Sequence, residues 1–247
     1  MIRGLTIAST GMLAAQKQSE VIADNIANIK TPGYKEENEI KEPFPKMLLA
    51  RLESLSPYEY TPIGERGDGV AVTGIVRNAD IGLLEKTDRT EDLALTTEGF
   101  FVVDTPQGLR LTRNGHFELD ANGTLRTQEG YGVLTTTGKA TGLSKNFRVA
   151  SDGTIIDGNT QKGKLMIVMP LADTLKREGQ SLYSFTGTPR VIADAQVKQG
   201  MLERSNVDMA GQMTKMITVM RAYEANQKVI QTQDAALEKA VNEVGKV

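Results

Sequence analysis

Residues 2–33 read IRGLTIASTGMLAAQKQSEVIADNIANIKTPG and contain no proline before Pro32. Apolar or small residues recur in this stretch at alternating steps of three and four: Leu5, Ala8, Met12, Ala15, Ser19, Ile22, Ile26 and Ile29. This spacing predicts a helix with a heptad seam along one side. Thr31-Pro32-Gly33 ends the helix, because the residue before proline avoids the helical conformation and glycine permits a tight reversal.

The C-terminal residues repeat the helical pattern. No proline occurs after Ser205, and Ser205, Asn206 and Asp208 are suitable N-cap residues. A seam with the same alternating steps consists of Met213, Met216, Met220, Tyr223, Gln227, Ile230, Asp234, Leu237, Val241 and Val244. A second stripe beside it consists of Val219, Ala222, Val229, Ala236 and Ala240. Because a two-stranded coil needs one stripe, two stripes predict several neighbours for this helix.

The middle of the sequence has the short runs and turn signals of β structure. The predicted strands are residues 69–76, 100–104, 109–113, 116–119, 124–127, 132–136, 165–169 and 191–199. Turn residues at 105–108, 114–115 and 120–123 predict hairpins, and Asn114-Gly115 is the strongest of these signals because both residues tolerate positive φ.

The predicted fold class is α+β, with N- and C-terminal helices paired as a coiled-coil-like arm and a central all-β domain. Four segments are expected. They are the N-terminal helix of the arm (residues 1–34), an extended connection (35–66) in which residues 44–52 could form a short helix, the β domain (67–200), and the C-terminal helix of the arm (201–247).

Composition excludes several classes of function. The 247 residues include 29 basic and 31 acidic ones, a balance that gives no electrostatic signal for nucleic acid or an anionic membrane. Without cysteine there is no disulfide, thiolate nucleophile or cysteine metal site. No apolar run reaches the length of a membrane-spanning helix, and the N-terminus lacks the apolar core of a secretory signal. We expect a soluble protein whose export uses no cleaved signal peptide.

Candidate chemical sites have simpler explanations. Residues 158–164 match most of a phosphate-binding loop, but Leu165 stands where that loop needs Ser or Thr. Residues 120–123 lack the spacing of a calcium loop, and His116, the only histidine, accompanies no nucleophile motif. We therefore predict no enzyme, no catalytic residue, no cofactor and no metal, although a carboxylate-only hydrolase stays open.

Motifs near both ends and in the middle resemble bacterial flagellar rod and hook proteins. The terminal motifs are DNIANIKTPGYK at residues 24–35, GMLERSNVD at 200–208, and Met216-Ile217 with RAYEANQKVI at 221–230. The central motifs, TEGFFVV at 97–103 and RNGHFELD at 113–120, are similar to the β domain of distal rod members. One departure is Gln212, at a position where the family often carries an acidic residue.

The resemblance implies a structural subunit of the flagellar basal-body rod, of the distal rod type, that self-assembles through its terminal helices into a helical tube that transmits torque. The implied partners are copies of itself, other rod and hook subunits and the flagellar type III export apparatus, with no nucleic acid and no membrane insertion. The implied location is the extracytoplasmic basal body. A hook or hook-junction subunit is the alternative, followed by a secreted β-domain enzyme or binding module with oligomerisation helices.

The seam residues are the candidates for self-assembly. They are Leu5, Met12, Ile22, Ile26, Ile29, Met213, Met216, Met220, Tyr223, Ile230, Leu237 and Val241. Ala8, Ala15 and Ser19 add little apolar area to the N-terminal seam. We therefore expect helices that are marginal in the monomer and become ordered when neighbouring subunits cover both stripes.

Overall fold

The computed structural model describes residues 2–45, 47–52, 60–171, 175–179 and 181–244. Within these ranges a long helix stands at each end of the chain, α1 (Ile2–Ala27) and α2 (Met209–Lys239). A π-helical segment, Ala240–Val244, follows α2. The described residues between the helices form 21 short strands, which confirms the predicted α+β class with terminal helices and a β-rich centre.

In chain order, the strands are β1 (Glu37–Pro43), β2 (Met47–Leu52), β3 (Tyr60–Arg66), β4 (Val70–Arg77), β5 (Leu84–Lys86), β6 (Leu93–Leu95), β7 (Phe100–Thr105), β8 (Gly108–Thr112), β9 (Phe117–Leu119), β10 (Leu125–Thr127), β11 (Gly132–Thr135), β12 (Gly138–Lys139), β13 (Arg148–Val149), β14 (Thr154–Asp157), β15 (Thr160–Lys164), β16 (Ile167–Met169), β17 (Lys176–Glu178), β18 (Leu182–Ser184), β19 (Arg190–Val191), β20 (Val197–Gln199) and β21 (Met201–Glu203).

The chain divides into two compact units. The helical unit contains Met1–Ile26, Glu37–Arg77 and Met209–Val247, and the β unit contains Ala27–Glu36 and Asn78–Asp208. These bounds differ from the predicted segments, because β4 pairs with β1 inside the helical unit and the residues after α1 belong to the β unit.

The connection after α1 is a long hairpin. β1 pairs antiparallel with β4, and β2 pairs antiparallel with β3. The short helix considered at residues 44–52 is wrong, since residues 47–52 form β2. Pro43 and Pro45 cannot donate helical hydrogen bonds, and a helix this short is marginal unless packing supports it. Residues 53–59 of the predicted connection lie outside the described part.

A ten-stranded sheet organises the β unit. Its main order is β17-β18-β8-β7-β11-β10-β9, with β16 on β7, β19 on β16 and β12 on β11. The core beside it is fully buried at Phe101, Phe117, Leu125, Val133 and Ile155. The Phe101 and Phe117 rings meet edge to face, with centroids 5.2 Å apart, a favourable arrangement for aromatic rings.

Two of the three predicted hairpins are confirmed. β7 pairs with β8, and β9 pairs with β10. The hairpin at Asn114-Gly115 is wrong, since β8 and β9 pair with other strands. Gly115 is needed instead for a close approach to Leu93, whose N–H donates to the Gly115 carbonyl oxygen at 3.0 Å. A Cβ on Gly115 would lie 1.6 Å from the Leu93 carbonyl oxygen.

A buried ionic network joins three distant segments of the β unit. Glu203 is 2% exposed, and its carboxylate accepts hydrogen bonds from Lys35 Nζ at 2.7 Å and Arg113 Nε at 2.6 Å. The backbone N–H of Gly82 also donates to this carboxylate, at 3.0 Å. Lys35 Nζ donates a further hydrogen bond to the Asp80 carbonyl oxygen at 2.6 Å. The cluster thus ties the segment after α1 to the strand that precedes α2.

Arg113 completes the network with its remaining donors. Its guanidinium donates to the carbonyl oxygens of Leu95, Thr97 and Gly99 at 2.6–3.0 Å. Buried charge is tolerated when it is paired and its donors are satisfied. Burial nevertheless lowers the pKa of the Lys35 ammonium below its ordinary value, and the hydrogen bond to Glu203 only partly offsets this.

The turn that ends the N-terminal helical region fits against this network. The Gly33 N–H donates to the Glu203 carbonyl oxygen at 2.8 Å. Gly33 has φ +70°, and a Cβ there would lie 2.4 Å from the Arg113 carbonyl oxygen. Both the left-handed backbone and the close approach therefore require glycine at this position.

Glu203→Gln should destabilise the β unit strongly, because it leaves two buried cations without a carboxylate. Breaking a buried pair in this way costs about 3–5 kcal/mol. Urea unfolding of the variant followed by near-ultraviolet circular dichroism measures the loss. The matched control is Glu85→Gln, since the Glu85 side chain is 63% exposed and its change should stay within about 0.5 kcal/mol. Equal losses in the two variants would contradict the assigned role of the network.

Lys35 should make stability depend on alkaline pH. Its folded-state pKa is lowered, so near that pKa the unfolded chain binds more protons than the folded chain. The free energy of unfolding gained from Lys35 therefore rises with pH, up to the unfolded pKa of about 10.4. The difference between wild type and Lys35→Met, measured by urea unfolding from pH 7 to 10.5, should grow toward high pH. A difference that is flat or shrinks across this range would rule the mechanism out.

Candidate assembly interface

The two terminal helices pack against each other antiparallel in the helical unit. Partner positions descend along α2 as they ascend along α1. The facing pairs are Gly4 with Gln233, Gly11 with Asn226, Ser19 with Met216, and Asn25 with Gln212. Three of these four pairs are separated by seven and then fourteen residues on both helices, in agreement with the seven-residue period of a coiled coil.

Two glycines set how closely the helices approach. A Cβ on Gly4 would lie 2.1 Å from Gln233 Nε2, and a Cβ on Gly11 would lie 3.0 Å from Asn226 Nδ2. Either substitution would require the facing amide side chain to move. Because interior glycine costs roughly 1 kcal/mol relative to alanine, this close approach lowers the stability of the helix itself.

A buried polar layer occupies the other end of the seam. The Asn25 side chain donates to the Glu37 carbonyl oxygen at 2.7 Å and accepts from the Glu37 N–H at 2.9 Å. Its amide nitrogen also lies 3.4 Å from Gln212 Oε1, and both side chains are buried. A polar layer of this kind selects one register at some cost in stability. Residue 212, where the resemblance marked a departure, thus lies inside the seam.

The apolar part of the seam is small. Ala15, Ile22 and Val219 form its buried cluster, and Ile26 and Met216 pack against it half-buried. Only Ile22 among the three buried members is a large side chain. Since burying a large aliphatic side chain contributes about 1.5–3 kcal/mol, the seam holds the helices together weakly.

The structure distributes the predicted assembly residues over two faces of the helices. Those at least partly buried are Leu5, Met12, Ile22, Ile26, Ile29, Met216, Ile230 and Leu237. Those left exposed are Met213, Met220, Tyr223 and Val241. Ile29 lies beyond the end of α1 and belongs to the β unit. The predicted C-terminal seam therefore combines positions that face α1 with positions that do not.

Polar residues explain why the predicted seam of α2 differs from the face that α1 covers. The covered positions of α2 include Gln212, Asn226 and Gln233, which a search for apolar residues passes over. The signal that could have found them is their spacing, because residues 212, 219, 226 and 233 are seven apart. Three of these four positions, 212, 226 and 233, face an amide or glycine residue of α1.

An exposed apolar stripe lies on α2 beside the covered seam. Met213, Ile217 and Met220 are 52%, 54% and 56% exposed, and Met209 begins the stripe at 41%. These side chains are spaced by three or four residues, so they lie along one side of the helix. An exposed row of large apolar side chains is a candidate interaction surface.

His116, the histidine considered as a catalytic candidate, lies beside two polar side chains. His116 Nδ1 lies 2.7 Å from Asp92 Oδ1 and its Nε2 lies 3.4 Å from Arg89 Nη1, a pairing that holds the ring in place. In the described ranges no three acidic or histidine side chains gather to hold a metal ion. Neither described helix combines the length and apolar character needed to cross a membrane.

The paired helices and the exposed apolar stripe indicate which class of protein this is. Terminal helices that pair through a weak seam, with large apolar side chains left on the outside, are the construction of a structural subunit that binds further protein. Known families place the chain more closely. Residues 5–35 match the family described as Flagella basal body rod protein, residues 94–163 the Flagellar hook protein FlgE/F/G D1 domain, and residues 198–243 the Flagellar basal body rod FlgEFG protein C-terminal.

Whole-chain relatives agree with these matches. A Bacillus subtilis protein named Flagellar hook-basal body complex protein FlhO is 35% identical, over 100% of both chains. Flagellar basal-body rod protein FlgG of Buchnera aphidicola is 34% identical, over 97% of this chain and 98% of that protein. Flagellar basal-body rod protein FlgF of Caulobacter vibrioides is 32% identical, over 100% of both. The chain belongs to the flagellar basal-body rod and hook protein family.

Val219→Asp should separate α1 from α2, because Val219 is 5% exposed and would place a charge inside the seam. We expect a loss of about 3 kcal/mol or more in the stability of the helix pair. Hydrogen exchange of peptides from residues 2–27 and 209–239 measures it. Ile217→Asp, two residues away on the exposed stripe, is the control and should leave exchange unchanged. Faster exchange in the control alone would show that the seam has been assigned to the wrong face.

Proposed function

We propose that this chain is a structural subunit of the flagellar basal-body rod, of the distal rod type. Copies add to one another through the terminal helices and build a helical tube that transmits torque. The observation that carries the proposal is the exposed stripe of Met213, Ile217 and Met220 on a helix whose other side is already occupied by α1. Family membership supports it, since relatives aligned over the whole chain are named as basal-body rod proteins.

The energy available from the stripe favours assembly by many contacts at once. Three large side chains, each about half exposed, would contribute about 2–5 kcal/mol when fully covered. Association of two proteins costs about 4–15 kcal/mol in lost freedom and ordering. One stripe is therefore too weak to hold two free subunits together. A subunit that contacts several neighbours at the end of a growing tube gains enough binding free energy to offset this cost.

The same weakness suits a subunit that must stay apart from its copies before assembly. The proposed partners are other copies and other rod and hook subunits, together with the flagellar type III export apparatus. The proposed location is extracytoplasmic, in the basal body.

Imaging of basal bodies tests the location. A tagged copy, expressed in cells whose own copy is deleted, should restore motility and place immunogold label on the rod of purified basal bodies. Label on the hook would favour the hook alternative. Absence of label from both structures would overturn the proposed function.

Met213→Asp combined with Met220→Asp should block incorporation while the subunit stays folded. Both side chains are more than half exposed, so the change adds charge to the stripe without burying it in the fold. We expect at least a tenfold loss of the protein from purified basal bodies, measured by quantitative immunoblotting. The control is Thr214→Asp with Thr218→Asp on a different side of the same helix. Normal incorporation of the methionine variant would contradict the role of the stripe.

A further inference from the structure

A second apolar feature lies on the β unit, in the loop between Asn78 and β5. Leu83 is 79% exposed, the largest exposure among the described large hydrophobic residues, and Ile81 beside it is 42% exposed. Leaving a leucine this open in water forgoes the gain from its burial. Ile81 and Leu83, two such side chains at the tip of one loop, form a small apolar knob.

The knob is held rigidly by the buried network. Gly82, between the two apolar residues, donates its N–H to Glu203 Oε1 at 3.0 Å, and the Leu83 carbonyl oxygen accepts from the Arg204 N–H at 2.8 Å. Lys35 Nζ holds the Asp80 carbonyl oxygen at 2.6 Å. A Cβ on Gly82 would lie 1.9 Å from the carbonyl oxygen of Arg204, the residue after β21, so the loop also lies in close contact with the backbone there.

Because the loop is held in place, Leu83 stays exposed and available for binding. A flexible loop could fold its apolar side chains back onto the surface, whereas this loop is fixed from both sides. A preorganised apolar side chain loses less entropy on binding than one on a flexible loop, so more of its burial energy becomes affinity. The geometry of the loop therefore fits a contact with another protein.

An apolar groove that could accept such side chains lies on the helical unit, between α1 and α2. Its volume is about 630 Å³. Small residues at Ala15, Ser19 and Ala23 leave space along α1 between the two helices. The apolar side chains of the opposite wall are those of Val219, Met220 and Tyr223.

Charge on the two surfaces is complementary. Glu20 and Glu224 lie at the edges of the groove. Arg204, next to the knob, has a side chain that is 63% exposed and only loosely paired, with its Nε 3.7 Å from Glu85 Oε2. Glu20 is paired with Lys17 at 2.7 Å on the open surface. Exposed pairs of this kind contribute roughly 0–1 kcal/mol, so exchanging them for pairs between subunits costs little.

We propose that the knob of one copy enters the α1–α2 groove of a second copy, with Leu83 in the groove and Arg204 facing Glu20 and Glu224. This inference rests on the proposed function and names one of its contacts. Knob and groove are different surfaces, so the contact is heterologous. Repeated without closing into a ring, it adds copies along a helix.

Cross-linking between copies tests the contact directly, since the chain has no cysteine. Cells lacking the native gene would make two differently tagged copies, one with Leu83→Cys and one with Ser19→Cys. A short bismaleimide is then added to purified basal bodies. We expect a dimer carrying both tags, at least tenfold above that from a matched pair with Leu109→Cys in place of Leu83→Cys. Leu109 is also an exposed leucine of the β unit. A yield equal to this control would overturn the inference.

Incorporation gives a second, independent readout. Leu83→Asp should lower the amount of the protein in basal bodies at least tenfold, whereas Leu109→Asp should not, and both should show wild-type thermal unfolding. If wild type is found in the rod and Leu83→Asp incorporates equally well, the knob contact is wrong and the proposed function stands. If wild type itself is absent from rod and hook, the proposed function fails, and the knob contact fails with it.

Discussion

The β unit depends on one carboxylate. Glu203 joins Lys35, which follows α1 in the chain, to Arg113 in the middle of the β unit and to the strand that leads into α2. The segment that follows α1 and the strand that precedes α2 therefore meet at the same buried charge. An apolar cluster of similar size would supply more free energy, since a buried ion pair often only balances its own desolvation. The network also restricts how these segments can be arranged, because hydrogen bonds between a planar guanidinium and a carboxylate are geometrically specific as well as strong.

Sequence periodicity predicted where the helices and strands lie better than it predicted which residues they contact. Both helices and most strands follow from apolar spacing and turn residues, because these signals are local. The register of the helix pair was missed where Gly4, Gly11 and Gln212 occupy contact positions that an apolar pattern leaves out. The Glu203 network could not be predicted, since Lys35, Arg113 and Glu203 are separated by many residues and only the fold brings them together. Asn114-Gly115 shows the converse, a strong local signal overridden by a close backbone approach.

The two units therefore differ in how strongly their side chains stabilise them. The β unit buries large aromatic and aliphatic side chains and fixes its chain segments with satisfied buried charge. The helical unit places glycine, alanine and amide side chains in its internal seam. A seam of this composition specifies a register without contributing much stability. Stability and adaptability are thus divided between the units, which is consistent with a subunit whose helices gain their full order from neighbours.

The distribution of methionine and isoleucine on α2 carries this argument furthest. If the helix pair had evolved for stability in isolation, its largest apolar side chains would face α1. Met216, Ile230 and Leu237 are partly buried. Met213, Ile217 and Met220, however, are more than half exposed, while Gln212 and Val219 are buried. The free energy that these side chains can supply is therefore withheld from the single chain and becomes available only when another surface covers them. Because one such surface does not offset the cost of association, the arrangement favours growth at a site that offers several surfaces together.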